Sequence, residues 1–119
     1  MYKKKTVGRM GEDLACKYLM NNNYSVLDRN FSCMQGEIDI IAYDLKNEEV
    51  VFFEVKTRTN FNYGIPSEAV NKLKQRHILN SAKYYLYSRR LEDHFVRIDV
   101  IEVVINGEKY KLNHLRNVL

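Results

Sequence analysis

An α/β fold with a mixed central sheet flanked by helices is predicted by three observations. Two stretches, 7 to 20 and 67 to 90, repeat apolar residues at helical spacing. Between and after them lie β-rich runs, giving the order α-β-β-β-α-β-β. The runs at 37 to 43 and 50 to 58 are apolar on both faces, so helices must cover both sides of the sheet.

Each element has its own local reason. Val7, Met10, Gly11, Leu14, Ala15, Tyr18 and Leu19 fall on one face of a first helix. Asn21, Asn22 and Asn23 end it, because asparagine tolerates the left-handed position after a helix. Residues 24 to 31, "YSVLDRNF", read as a first strand, and the polar "DLKNEE" joins strands at 37 to 43 and 50 to 58. A loop with Gly64 and Pro66 follows. Ser67 then caps a helix reaching about Arg90, with Val70, Leu73, His77, Ile78, Ala82, Tyr85 and Leu86 expected on its buried side. Residues 95 to 105 form a further strand. Asn106-Gly107 predicts a hairpin that returns "EKYKLN" as an edge strand.

The length of 119 residues suits one domain spanning 1 to 119. No apolar run approaches membrane-spanning length, and the basic start "MYKKKTVGRMGEDLA" lacks the apolar segment of a signal peptide. Cys16 and Cys33 stand apart without zinc spacing, so reduced thiols and a cytoplasmic location are expected. A net charge of +4 favours an anionic partner such as nucleic acid. The cations cluster at Lys3, Lys4, Lys5 and Arg9, at Lys72, Lys74, Arg76 and Lys83, and at Arg89 and Arg90. On charge alone, solvated helix faces are the preferred account of them.

The stretch "GEIDIIAYDLKNEEVVFFEVKTR" raises the sharpest question. Asp39 lies between two isoleucines, Glu54 between Phe53 and Val55, and Lys56 follows. An unpaired buried carboxylate costs several kcal/mol. With 44 to 49 as the turn, residue 43 faces 50 and 41 faces 52. In that register Asp39 faces Glu54 and Glu37 faces Lys56. Opposed residues on antiparallel strands share a face, with Cβ atoms about 5 Å apart. Two adjacent carboxylates repel unless a positive charge joins them. Hard oxygen ligands on rigid strands suit Mg²⁺ or Mn²⁺, and Lys56 on the same face can stabilise charge on a phosphate. A buried ion pair of Glu54 or Glu37 with Lys56, with Asp39 capping a nearby backbone group, is the simpler alternative.

An Asp on the second strand and E-x-K on the third, after a helix bearing an acid, resemble the PD-(D/E)xK nuclease superfamily with its restriction-endonuclease-like core. The segments "GRMGEDLACKYL", "RNF", "GEIDIIA", "FFEVKTR", "GIPSEAV" followed by Lys74, and "RIDVI" resemble a YraN-type bacterial family more closely. They run in order from Gly8 to Ile101. That family is similar to archaeal Holliday junction resolvases. The resemblance implies Asp39 and Glu54 as metal-binding acids, the Val55 carbonyl as a further ligand, and Lys56 as the catalytic lysine. It also implies Glu12 as the acid of the first helix, which reaches the metal through water or a second site. Ile38 stands where the superfamily's name has proline.

Other residues carry weaker signals. Glu12 also suits the positive end of its helix. Glu37 reads as a supporting partner of Lys56. Arg9, Arg58 and Lys74 are candidates for phosphate contact. Asp99 reads as the partner of a basic residue inside the fold. Tyr84, Tyr85 and Tyr87 read as core plus rim, with base stacking as the alternative. His77, His94 and His114 lack metal spacing, and Cys16 reads as core packing.

Together these predict a Mg²⁺- or Mn²⁺-dependent endonuclease acting on branched or structured DNA, with no membrane partner. Two other readings stay open. One is a nucleic-acid-binding module that keeps the fold without turnover. The other is a protein-interaction subunit using the strand "KYKLN". Resolvase-like relatives are dimers, so the resemblance also implies a homodimer.

Overall fold

Helix α1 spans Lys4–Met20 and ends as expected, with Asn23 in the left-handed region at φ 66. The computed structural model describes residues 4–59 and 72–119. Strands β1 (Tyr24–Cys33), β2 (Gly36–Asp44) and β3 (Glu49–Arg58) follow in antiparallel succession. Helix α2 (Lys72–Ser88) precedes β4 (Phe95–Asn106) and β5 (Lys109–Leu115). The sheet order is β1-β2-β3-β4-β5, and β3 and β4 are parallel, so the sheet is mixed. The Gly64–Pro66 loop, the Ser67 cap and Val70 lie outside the described residues.

The sheet is covered on both faces, as its doubly apolar strands require. Ala15, Cys16 and Leu19 of α1 pack on Ile40, Ala42, Val51, Phe53, Ile101 and Val103. On the other face Ile78, Ala82 and Tyr85 of α2 pack on Ile41, Val50, Phe52, Ile98 and Val100. Helical spacing assigns Leu73 and His77 to that second core, but Leu73 is 59% exposed and His77 is exposed too. The buried stripe of α2 instead runs through Ile78, Ser81, Ala82 and Tyr85, a phase that leaves both outside it. Gly11 sits where α1 meets β3: a Cβ there would lie 1.8 Å from Thr57 Oγ1. Glycine is therefore required by close approach of helix and strand.

The turns follow side-chain chemistry. Asp44 Oδ1 accepts the N–H groups of Lys46 and Asn47, fixing the β2–β3 turn. In the last hairpin Asn106 pairs with Lys109, so the two turn residues are Gly107 and Glu108. The expected Asn106-Gly107 turn is thus displaced by one residue, because Gly107 at φ 65 takes the first central position.

Toward the starts of β3 and β4 lies a buried polar network. Arg97 Nη1 donates to Asp44 at 2.9 Å and to Glu49 at 2.8 Å, and its Nε donates to Asp99 at 2.9 Å. Asp99 is fully buried and also meets His114 Nε2 at 2.7 Å and the Asn117 N–H at 2.9 Å. Burial pushes the Asp99 carboxyl up, but its bonds to His114 and Arg97 outweigh this and hold it below the usual range. Asp99 has the internal basic partner expected of it.

Candidate functional site

Ile40 belongs to the α1-side core and Ile38 to the α2-side core, although residues two apart in a regular strand share a face. The switch occurs at Asp39. The β1–β2 pairing steps from Arg29–Ile40 to Phe31–Ile38 and passes over Asn30 and Asp39, with Asn30 in the left-handed region at φ 53. The β2–β3 ladder ends at Ile40–Phe53. It therefore stops short of the expected Asp39–Glu54 and Glu37–Lys56 pairs. In place of a ladder bond, the Val55 N–H donates to Asp39 Oδ2 at 2.8 Å.

Glu54 comes to the same place from β3 by simple alternation. Phe52 and Glu54 share a face, and Glu54 is only 8% exposed. Asp39 and Glu54 line one cavity of about 200 Å³ with Gly36, Glu37, Lys74, His77 and Ile78. Larger clefts exist beside α1, but they hold one acid of the set rather than two. Chemistry, not size, selects the smaller cavity.

The electrostatics reflect crowding of like charge. Burial, and then the charge of Glu54, pushes the Asp39 carboxyl up to about 7, against the pull of the Val55 N–H. Glu54 Oε1 is in direct contact with Lys74 Nζ and lies 3.6 Å from Lys56 Nζ. Burial, and then neighbouring Lys74, holds the Lys56 ammonium below the ordinary lysine range, although Glu54 opposes this. Burial also works against charge on Lys74, but its bond to Glu54 prevails and its pKa is raised. Lys74 acts here as an internal counter-ion, a role more direct than the phosphate contact expected of it. Among the described residues no three His, Cys, Asp or Glu side chains are grouped to hold a metal ion by themselves.

A model of an uncharacterised protein family, UPF0102, matches residues 11–103. The chain belongs to the UPF0102 family. A UPF0102 protein of Clostridium perfringens is 47% identical over 115 residues, covering 95% of this chain and 93% of its own length. One from Caldanaerobacter subterraneus is 47% identical over 117 residues, covering 96% and 94%. A third, from Clostridium beijerinckii, is 49% identical over 115 residues, covering 95% and 92%. The matched segment of this UPF0102 chain includes Glu12, Asp39, Glu54, Lys56 and Lys74.

The remaining candidates in the UPF0102 chain are spread around this centre. Glu12 lies outside the cavity, in clefts beside α1 with Arg9, Arg29, Thr57 and Arg58, yet its charge contributes to the rise of Asp39. Arg29 Nη2 reaches it at 3.7 Å. Arg9 is exposed at the edge of the same region. Glu37 lines the cavity, but the carboxylate beside Lys56 is Glu54. The expected Glu37–Lys56 partnership is replaced because the ladder ends before it. Val55 turns its side chain to the α1-side core and its N–H to Asp39.

Two further residues border the site. Arg58 Nε lies 3.6 Å from Glu102 Oε2, and Glu102 is a buried acid of β4. A charge inside "VIEVVI" was the available signal for it. His77 forms part of the cavity wall. Its helical spacing of three from Lys74 would have indicated this once Lys74 was placed.

Proposed function

We propose that this UPF0102 protein is a divalent-metal-dependent nuclease that hydrolyses phosphodiester bonds in branched or structured DNA. The observation that carries the reading is the meeting of Asp39 and Glu54 in one cavity, with Lys56 and Lys74 beside them. A fold stabilised for its own sake gains little from a buried and a half-buried acid side by side on neighbouring strands. The raised Asp39 pKa marks a place where further positive charge is favourable.

The donor set fits a small, hard cation. Asp39 and Glu54 would hold Mg²⁺ or Mn²⁺. Val55, whose N–H faces Asp39, would offer its carbonyl on the same strand edge. Mg²⁺ ordinarily keeps several waters, so two acids and a carbonyl suffice without a third carboxylate. When bound, the ion supplies positive charge at the phosphate and activates water. Lys56, with its lowered pKa, is placed to stabilise developing phosphate charge or to move a proton. Lys74 neutralises Glu54 until a cation takes over that role. Arg9 and Arg58, on the α1 side, would hold the phosphate backbone.

The test is cleavage of end-labelled single-stranded, duplex, flap and four-way DNA in Mg²⁺, Mn²⁺ or EDTA. Metal-dependent cleavage is expected, and Asp39→Ala, Glu54→Gln and Lys56→Ala should each reduce it by at least about a hundredfold. Circular dichroism should show the fold kept. Retained cleavage in Asp39→Ala would remove the proposed centre. Salt-sensitive binding without cleavage would favour a non-catalytic module.

A further inference from the structure

Between Lys72 and Arg90 the chain has six lysines and arginines and no aspartate or glutamate. This stretch alone carries more positive charge than the net +4 of the whole chain. Among the described residues its ion pairs are those of Lys74 with Glu54 and Arg89 with Asp28. Arg76 and Lys83 have no carboxylate partner among the described residues, and both are exposed.

The tyrosines of α2 divide between core and surface. Tyr85 is buried, and its hydroxyl donates to Asp28 Oδ2 at 2.7 Å. Tyr84 is 50% exposed and Tyr87 is 69% exposed. Three residues apart, they are neighbours on the helix surface. Arg76, Asn80, Lys83 and Tyr87 recur at spacings of four, three and four, which makes one outward stripe. Exposed aromatic rings cost solvation, and core packing explains Tyr84 only in part, through Phe31, and does not explain Tyr87. Exposed rings on a helix that carries cations and no acid of its own match a surface that stacks bases while neutralising phosphates.

The axis of α2, rather than the stripe itself, leads toward the candidate centre, because Lys74 is in line with buried Ile78, Ser81 and Tyr85. Lys74 lies at the start of α2 and contacts Glu54. At 1.5 Å of rise per residue, Tyr84 and Tyr87 stand about 15 and 20 Å farther along the axis. Measured along the axis, that separation is a few nucleotides of an extended strand.

We propose that the outer face of α2 binds a nucleic-acid strand with unpaired bases, which stack on Tyr84 and Tyr87. This deepens the nuclease reading by naming the part of the substrate that α2 holds. It can be tested without cleavage. Fluorescence anisotropy in EDTA would compare oligo(dT) of about 20 nucleotides with an abasic strand of equal length and charge. Oligo(dT) should bind about tenfold more tightly. The variant Tyr84→Leu/Tyr87→Leu should bring oligo(dT) down to the abasic level. Arg76→Gln/Lys83→Gln should weaken both ligands alike and flatten their salt dependence.

Tyr84 also packs beside Phe31, with ring centroids 6.3 Å apart. Tyr87→Leu alone, expected to lower the preference several-fold, therefore serves as a second variant should the double change impair folding. Equal affinity of the wild type for both strands, binding of neither, or a preference that survives the tyrosine changes would overturn the proposal. A stacking preference in a protein that never cleaves DNA would remove the nuclease reading and leave this one standing.

Discussion

Asp39 is the residue through which stability and the proposed metal binding would be linked. Its carboxyl, near 3.8 as a free group, is raised to about 7 by burial and Glu54. The folded state therefore holds the proton more tightly than the unfolded state. The resulting stabilisation is complete below about pH 4 and is lost as pH rises through 7. Asp39→Asn removes this titration while keeping an oxygen for the Val55 N–H. In EDTA at pH 8 the variant should be more stable than wild type, by on the order of 1–3 kcal/mol, and near parity at pH 4. Mg²⁺ should raise the melting temperature of wild type alone. Parallel pH profiles for the two proteins would refute the electrostatic account of Asp39.

Among the elements, contact between α1 and β3 depends on a missing side chain. Gly11→Ala drives a methyl into Thr57, whose Cγ2 and Cβ would lie 2.7 and 2.8 Å from it. Helix and strand must separate, and a cost of about 1–3 kcal/mol is expected in urea denaturation. Gly8 stands one turn earlier in the same helix, and a Cβ added there would meet nothing within 4 Å. Gly8→Ala should be neutral or stabilise by up to about 1 kcal/mol, through helix propensity alone. Equal effects at both positions would show that close packing is not what selects Gly11. Because Thr57 adjoins Lys56, the tight joint also holds the charged end of β3 against α1.

Across the molecule, the sheet has polar centres at two ends with opposite characters. The Arg97 network is mutually satisfied: burial pushes Asp44 up, but bonds from Asn47 and Arg97 outweigh it and bring its pKa down to about 2. Stability from Asp44 is therefore present above about pH 4 and lost as pH falls toward 2. Acid titration followed by far-ultraviolet circular dichroism should show this loss, of order 2 kcal/mol. Arg97→Met leaves Asp44 and Asp99 buried without their cation, and about 3–5 kcal/mol of stability should disappear. An unchanged urea midpoint would show that the network contributes nothing. The Asp39–Glu54 end is balanced instead by Lys56 and Lys74, both packed against Glu54. Among the described residues no helix is long and apolar enough to cross a membrane.

The element order, the doubly covered sheet and the pair Asp39 and Glu54 are all legible in the chain alone. They depend on short-range periodicity and on the rarity of acids in apolar strands, which one sequence displays directly. How Asp39 reaches Glu54 is settled only by tertiary packing. The face switch between Ile38 and Ile40 and the Val55 bond break the alternation on which register arithmetic relies. Packing also sets Lys74 against Glu54 and Glu102 beside Arg58, and turns Tyr85 inward while Tyr84 and Tyr87 face out. Such contacts join residues far apart in the chain, and their partners are set by how helices pack on the sheet rather than by local pattern.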